Sequence, residues 1–192
     1  EKEIFSLSEL ISEFSLSRVG KSGSKYDYSK TKWFNQQHFR LKTDQEIFDK
    51  IVSMNDNLLT EFSKEYLFSV INLVKERATF DTDILLEGRA FLLDKIEFDG
   101  KAVNKKWKNE LGSDLFTLSE NLCQLDDFTN KNIENCFHDF LSSSGLGFGK
   151  IMPMLRIAVT GSLAGPSMFD TLQLLGKEKM KKRIAIAIKK LN

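Results

Sequence analysis

The chain has 192 residues, 41% hydrophobic and 29% charged, which is too apolar for intrinsic disorder and long enough for one large domain or two small ones with real cores. No apolar run approaches the roughly 20 residues of a membrane span and no signal peptide is legible, so a cytoplasmic protein without membrane contact is expected. The net charge of +1 hides a segregation: Lys and Arg outnumber Asp and Glu eight to five in residues 1–42 and nine to two in residues 150–192, but are outnumbered eleven to twenty between them.

Two basic ends around an acidic spacer suit a polyanion such as nucleic acid, although basic helix faces are also commonly just solvated. The chain opens at Glu1 rather than Met, directly in folded-looking sequence, so a fragment of a longer protein is expected. Ser6 and Glu9 have capping-box spacing, in which the hydroxyl accepts from a free amide of the first turn and the glutamate returns to the cap's own amide. Leu7, Leu10, Ile11 and Phe14 follow on one helical stripe. Residues 17–27, with Gly20, Ser22, Gly23 and Ser24 among Arg18, Lys21 and Lys25, read as a flexible basic loop. Thr43 and Glu46 form a second capping box before the stripe Ile47, Phe48, Ile51 and Met54. Tyr66, Phe68, Val70, Ile71 and Val74 suit a buried helix. Residues 95–110 are polar, with a turn signal at Asp99-Gly100. Thr117 and Glu120 predict a third capped helix start. Residues 142–149 hold three serines and three glycines and predict a break. With only Pro153 and Pro166 to interrupt helices, and no alternating strand or internal repeat, the fold expected is all-α.

Chemistry-bearing patterns are few. Gly145, Gly147 and Gly149 before Lys150 invite a phosphate-loop reading, but that loop needs four residues between its glycines and Ser or Thr after the lysine, where Ile151 stands. Cys136 and His138 have no second pair to complete a metal site, His38 is remote, and Cys123 and Cys136 read as reduced core thiols. No carboxylates are singled out as an acid–base pair. Neither a catalytic residue nor a metal ligand is expected.

Residues 154–178 resemble the terminal block of bacterial glutamyl-tRNA synthetases. The matching positions are the Leu155-Arg156 pair, Thr160-Gly161, Pro166 opening a helix, and Gly176-Lys177. Residues 14–35 are similar to the segment that follows the family's catalytic lysine loop, at Phe14, Arg18, Val19, Asp27, Lys30, Trp33 and Asn35. The resemblance spans the chain, with the acidic middle matching more loosely. It implies the carboxy-terminal, tRNA-binding part of a class I synthetase, whose catalytic domain would bear His-Ile-Gly-His-like and Lys-Met-Ser-Lys-like motifs. Neither motif occurs here. The parent would charge tRNA(Glu) using ATP and Mg2+; this part would need no cofactor, be inactive alone, act as a monomer, and have tRNA(Glu) and the catalytic domain of its own polypeptide as partners.

By the same resemblance the anticodon would be held by Arg156, Gly165, Pro166 and Met168. Ala164-Gly165 replaces the polar pair that some relatives carry before the proline. Arg77, within residues 76–80, corresponds to an arginine that reads the third anticodon base; a plain surface arginine is the other reading. Arg18, Lys21, Lys25, Lys30 and Lys32 would contact the tRNA stem and backbone at its inner corner. Elementary chemistry agrees: proline suits a first helical position, the amides of Ser167 and Met168 would face acceptors, Met168 offers a soft apolar surface to a splayed base, and Arg156 a planar fork. Lys177, Lys179, Lys181, Lys182, Arg183, Lys189 and Lys190 would neutralise phosphates, with Ile184, Ile186 and Ile188 as core. The architecture expected is two packed helical subdomains, residues 41–130 and 131–192, after a stem-contact segment, residues 1–40. A helical protein–protein module with basic ends is the alternative.

Overall fold

Hydroxyl caps and apolar stripes decide where the helices begin and what they bury. The computed structural model describes residues 2–20, 23 and 25–191, and every regular element among them is helical. In chain order the α-helices are α1 (Leu7–Glu13), α2 (Tyr28–Leu41), α3 (Asp44–Met54), α4 (Leu58–Glu61), α5 (Lys64–Val74), α6 (Asp81–Glu87), α7 (Arg89–Leu92), α8 (Gly100–Lys106), α9 (Gly112–Cys123), α10 (Asn130–Ser144), α11 (Phe148–Thr160) and α12 (Met168–Leu191). The last of these is broken at Gly176, whose φ of 76° and ψ of 165° are not helical. No helix among the described residues is long and apolar enough to cross a membrane.

Both early capping boxes form as read. Ser6 and Thr43 accept from the amides of Glu9 and Glu46, and each glutamate returns to the amide of its cap. The third does not. α9 already starts at Gly112, so Thr117 lies inside it and donates its hydroxyl to the Ser113 carbonyl at 3.0 Å. Glu120 is instead engaged by Lys181 of α12 at 2.9 Å. A tertiary ion pair and a longer apolar face, Leu115, Leu118 and Leu122, override the local signal.

One hydrophobic cluster runs from Phe39 through Ile47, Ile71, Leu118 and Phe137 to Ala187. α3, α5 and α6 pack on one another; α9, α10 and α11 surround α12, and α8 closes on α11. α9, which precedes the boundary expected near residue 130, thus packs against helices that follow it. α1 differs. Its helix forms, but the stripe Leu7, Leu10, Ile11 and Phe14 is exposed, and α1 buries no residue. Ile186 likewise faces solvent, while Ile184 is fully buried.

α2 joins the body through its carboxy-terminal half. Asn35 donates to the Thr79 carbonyl, Arg40 to the Glu76 carbonyl, and Lys42 pairs with Asp81 at 2.8 Å. Asp83 accepts from the amides of Thr79 and Phe80. The turn that carries Arg77 is therefore held from both sides.

Candidate functional site

The turn between α11 and α12 is built around small residues. Gly161 caps α11 with φ 80°, accessible to glycine at little cost. A Cβ there would also collide with the Glu97 carbonyl oxygen, because the chain runs close enough for the Asp99 amide to donate to Gly161 at 2.8 Å. Thr160 donates back to the Arg156 carbonyl, and Ser162 to that of Ala164. Half-buried Arg156 spans the turn: its Nη1 donates to the Pro166 carbonyl at 2.8 Å. A Cβ on Gly165 would stand 3.1 Å from that same Nη1. Glycine at 165 therefore makes room for the guanidinium.

Facing this turn is the junction of α6 and α7. Leu86, Glu87, Ala90 and Phe91 on one side and Thr160, Ser162, Gly165 and Pro166 on the other enclose a cleft of about 270 Å³. Glu87 of this lining accepts from Arg77 Nε at 2.6 Å. The two terminal amines of Arg77 have no hydrogen-bond partner among the described residues. Burial, and the charge of Arg77 nearby, lower the pKa of Arg156 from its ordinary value; an arginine so high on the scale stays charged. Arg77 and Arg156 thus each bond to a residue that lines this cleft, Glu87 and Pro166.

The two walls are tied together by Arg183, only 3% exposed. Its Nη1 donates to the carbonyls of Ala90 and Val159, both at 2.7 Å, and its Nη2 to Leu93 at 2.6 Å. Desolvation lowers its pKa. Arg183 is therefore a strut and not the phosphate ligand expected; Met180, Ile184 and Ala187 bracket it on one buried helical stripe, and that periodicity was the signal of its inward position.

Other expected residues fall less simply. Met168 is 4% exposed, so its side chain belongs to the core and offers no apolar surface to a base. It is also the first residue of α12, which places Pro166 two positions ahead of the helix; the proline acts through its carbonyl. Lys177 donates to the Leu125 carbonyl, Lys179 to Phe91, and Lys181 pairs with Glu120. Arg18 lies 3.4 Å from Glu13 and Lys30 3.3 Å from Glu3, both pairs exposed. Lys25 and Lys32 are exposed, and Lys21 lies outside the described residues. Among the described residues no group of three His, Cys, Asp or Glu side chains could hold a metal ion.

Comparison with known proteins adds independent findings. The anticodon binding domain family matches residues 36–188. The glutamate–tRNA ligase of Christiangramia forsetii is 35% identical over 188 residues, covering 98% of this chain and 37% of the relative. That of Cytophaga hutchinsonii is 33% identical over 189 residues, with the same coverage. A crystal structure of a glutamate tRNA ligase from Elizabethkingia meningosepticum in complex with its amino acid superposes with a TM-score of 0.86 at 38% identity, covering all of this chain and 38% of that one. The chain thus spans little more than a third of these proteins' length.

Proposed function

The chain belongs to the anticodon binding domain family, and we propose that it is the carboxy-terminal, tRNA-reading part of a glutamate–tRNA ligase. One observation supports the reading: Arg77 and Arg156, far apart in sequence, each bond to a residue that lines one cleft, Glu87 and Pro166, and the charge of Arg77 acts on Arg156. An anticodon base entering there meets planar donor forks at its edge, the contact geometry that discriminates bases most sharply. Gly165 leaves room for the Arg156 guanidinium beside the turn, and the first amides of α12, from Met168 onward, supply further donors. Lys25, Lys30, Lys32, Arg18 and Lys21 serve the stem at its inner corner through charge. The catalytic domain of the same polypeptide supplies activation of glutamate with ATP and Mg2+, and this part acts as a monomeric reader in the cytoplasm.

The experiment is a binding titration of the chain with tRNA(Glu), with the same tRNA carrying a substituted anticodon, and with heparin. Preference for the native anticodon supports the reading; equal affinity for all three favours a basic protein-binding module. Replacing Arg156 by Ala is expected to weaken tRNA(Glu) binding by about 1–3 kcal/mol and to do so less on the substituted tRNA. A melting curve of the variant separates lost reading from lost folding.

A further inference from the structure

Of the seven cationic residues at the carboxy end, four are consumed inside the fold: Lys177, Lys179 and Arg183 by main-chain carbonyls, and Lys181 by Glu120. Lys182, Lys189 and Lys190 have no hydrogen-bond or ion-pair partner among the described residues, and all are exposed. They line one groove. Together with Lys95, Ile96, Phe98 and the exposed Ile186 they enclose about 540 Å³, with Asp94 as the one acidic residue of the lining.

This groove continues the cleft described above. The cleft shares Arg89 and Thr160 with a middle hollow of about 580 Å³, and that hollow shares Lys95, Ile96 and Phe98 with the lysine groove. The three form one trough along residues 86–99. Its character changes along the way. The middle carries Glu97 and Asp99 beside Arg89 and Lys95, so charge is balanced there and acceptors suit ribose hydroxyls better than phosphates. The far end has four ammonium groups over an apolar wall, which suits a polynucleotide backbone with its bases against the wall.

We propose that this trough is the track of the nucleotides adjoining the anticodon, with Lys95, Lys182, Lys189 and Lys190 contacting the phosphodiester chain beyond the cleft. The proposal rests on the anticodon reading and adds the path of the strand. Continuity with the cleft fixes RNA as the occupant, and the excess of four cations over one carboxylate fixes the phosphate as the group recognised. Because these lysines see phosphates and not base edges, they add affinity without adding anticodon preference.

The test is the salt dependence of tRNA(Glu) binding by the whole chain, compared with a variant carrying Lys182→Ala, Lys189→Ala and Lys190→Ala. Three lost phosphate contacts are expected to flatten the log–log slope by about two units and to weaken binding roughly tenfold or more, equally for native and substituted anticodons. Lys181→Ala, a lysine of the same helix tied to Glu120 and outside the groove, is expected to change the slope by less than half as much. Phosphorothioate footprinting should show protected phosphates next to the anticodon, and their protection lost in the triple variant alone. An unchanged slope, or equal losses for the triple variant and Lys181→Ala, overturns the track. If the unsubstituted chain shows no anticodon preference, the proposed function falls and the track with it; if preference is present and the slope is unchanged, the track alone falls.

Discussion

The amino-terminal helix and the α11–α12 turn are both well-formed local structures, yet they differ in what holds them to the body. α1 is stabilised by its own sequence: a capping box, and Lys2 on Glu9, with an apolar face open to solvent. The turn at residues 160–167 has local bonds from Arg156, Thr160 and Ser162 and is tied in addition to residues distant in the chain, through Arg183, Asp99 and the close approach of Glu97. A segment held by local contacts can move as a unit at little cost, whereas one held by tertiary contacts keeps its place relative to the body. Base reading needs the second kind; contact with phosphates along a stem tolerates the first.

The largest effect that would sharpen this contrast is at Arg183. Replacement by Ala leaves the carbonyls of Ala90, Val159 and Leu93 without this donor in the interior, each unmade bond there costing about 1–3 kcal/mol. With the cavity included, a loss of about 3–5 kcal/mol in urea denaturation is expected, a large part of the 5–15 kcal/mol typical of a domain. The matching change in α1, Ile11→Ser, removes an exposed side chain, 68% accessible, and should stay within about 0.5 kcal/mol. A loss below about 1 kcal/mol at Arg183 would mean that the turn does not depend on it.

How far these two regions could be read from the sequence follows the same division. The capping boxes at Ser6 and Thr43 were legible because all their partners lie within four residues. The one at Thr117 was not, because α9 itself begins five residues earlier, at Gly112, and Glu120 serves Lys181 on another helix. The stripe of α1 announced a helix correctly and left its burial open, since periodicity says which residues share a face and not whether anything covers it. Arg183 and Met168 were misplaced by residue type: a cation was read as surface and a methionine beside a turn as accessible, when the stripes they belong to point inward. The bonding of Arg77 and Arg156 to the lining of one cleft is a product of α6, α7 and the turn docking together, and no spacing rule encodes it.

An intermediate effect concerns Arg77, where both kinds of restraint act: a local turn and one ion pair with Glu87. Its Nε is engaged by Glu87, so any reading of a base depends on the rest of the planar fork. Arg77→Lys keeps charge and loses the fork, and should reduce discrimination at the third anticodon base by about 1–3 kcal/mol. Arg77→Gln keeps a planar donor and should relax the preference less. Binding of both variants to tRNAs differing at that base alone decides the point: a lysine variant that discriminates like the parent makes Arg77 an ordinary surface residue.

The smallest effect is the pH response of α1, and it tests whether that helix is as autonomous as its contacts suggest. Lys2 first, then the Ser6 amide and hydroxyl, pull the Glu9 carboxyl down to about 2. A depressed folded-state pKa means that the carboxylate favours the capped helix at any pH above its unfolded value, near 4.5, and that this contribution disappears as pH falls from there through about 2. Glu9 is exposed, so solvent and salt weaken the contribution. On acidification through that window, carboxyl chemical shifts of Glu9 and amide shifts of residues 6–13 should titrate together. The amides of residues 156–167, in a segment whose Val159 and Gly161 carbonyls accept from Arg183 and Asp99, should not follow them. Raising salt to about 1 M shortens the screening length to about 3 Å and should move the Glu9 midpoint upward, because the Lys2 partner is screened while the Ser6 hydrogen bonds persist. If the turn and α1 shifted with one common midpoint, the two regions would be coupled, and the division between a locally held stem segment and a tertiary-held reading site would fail.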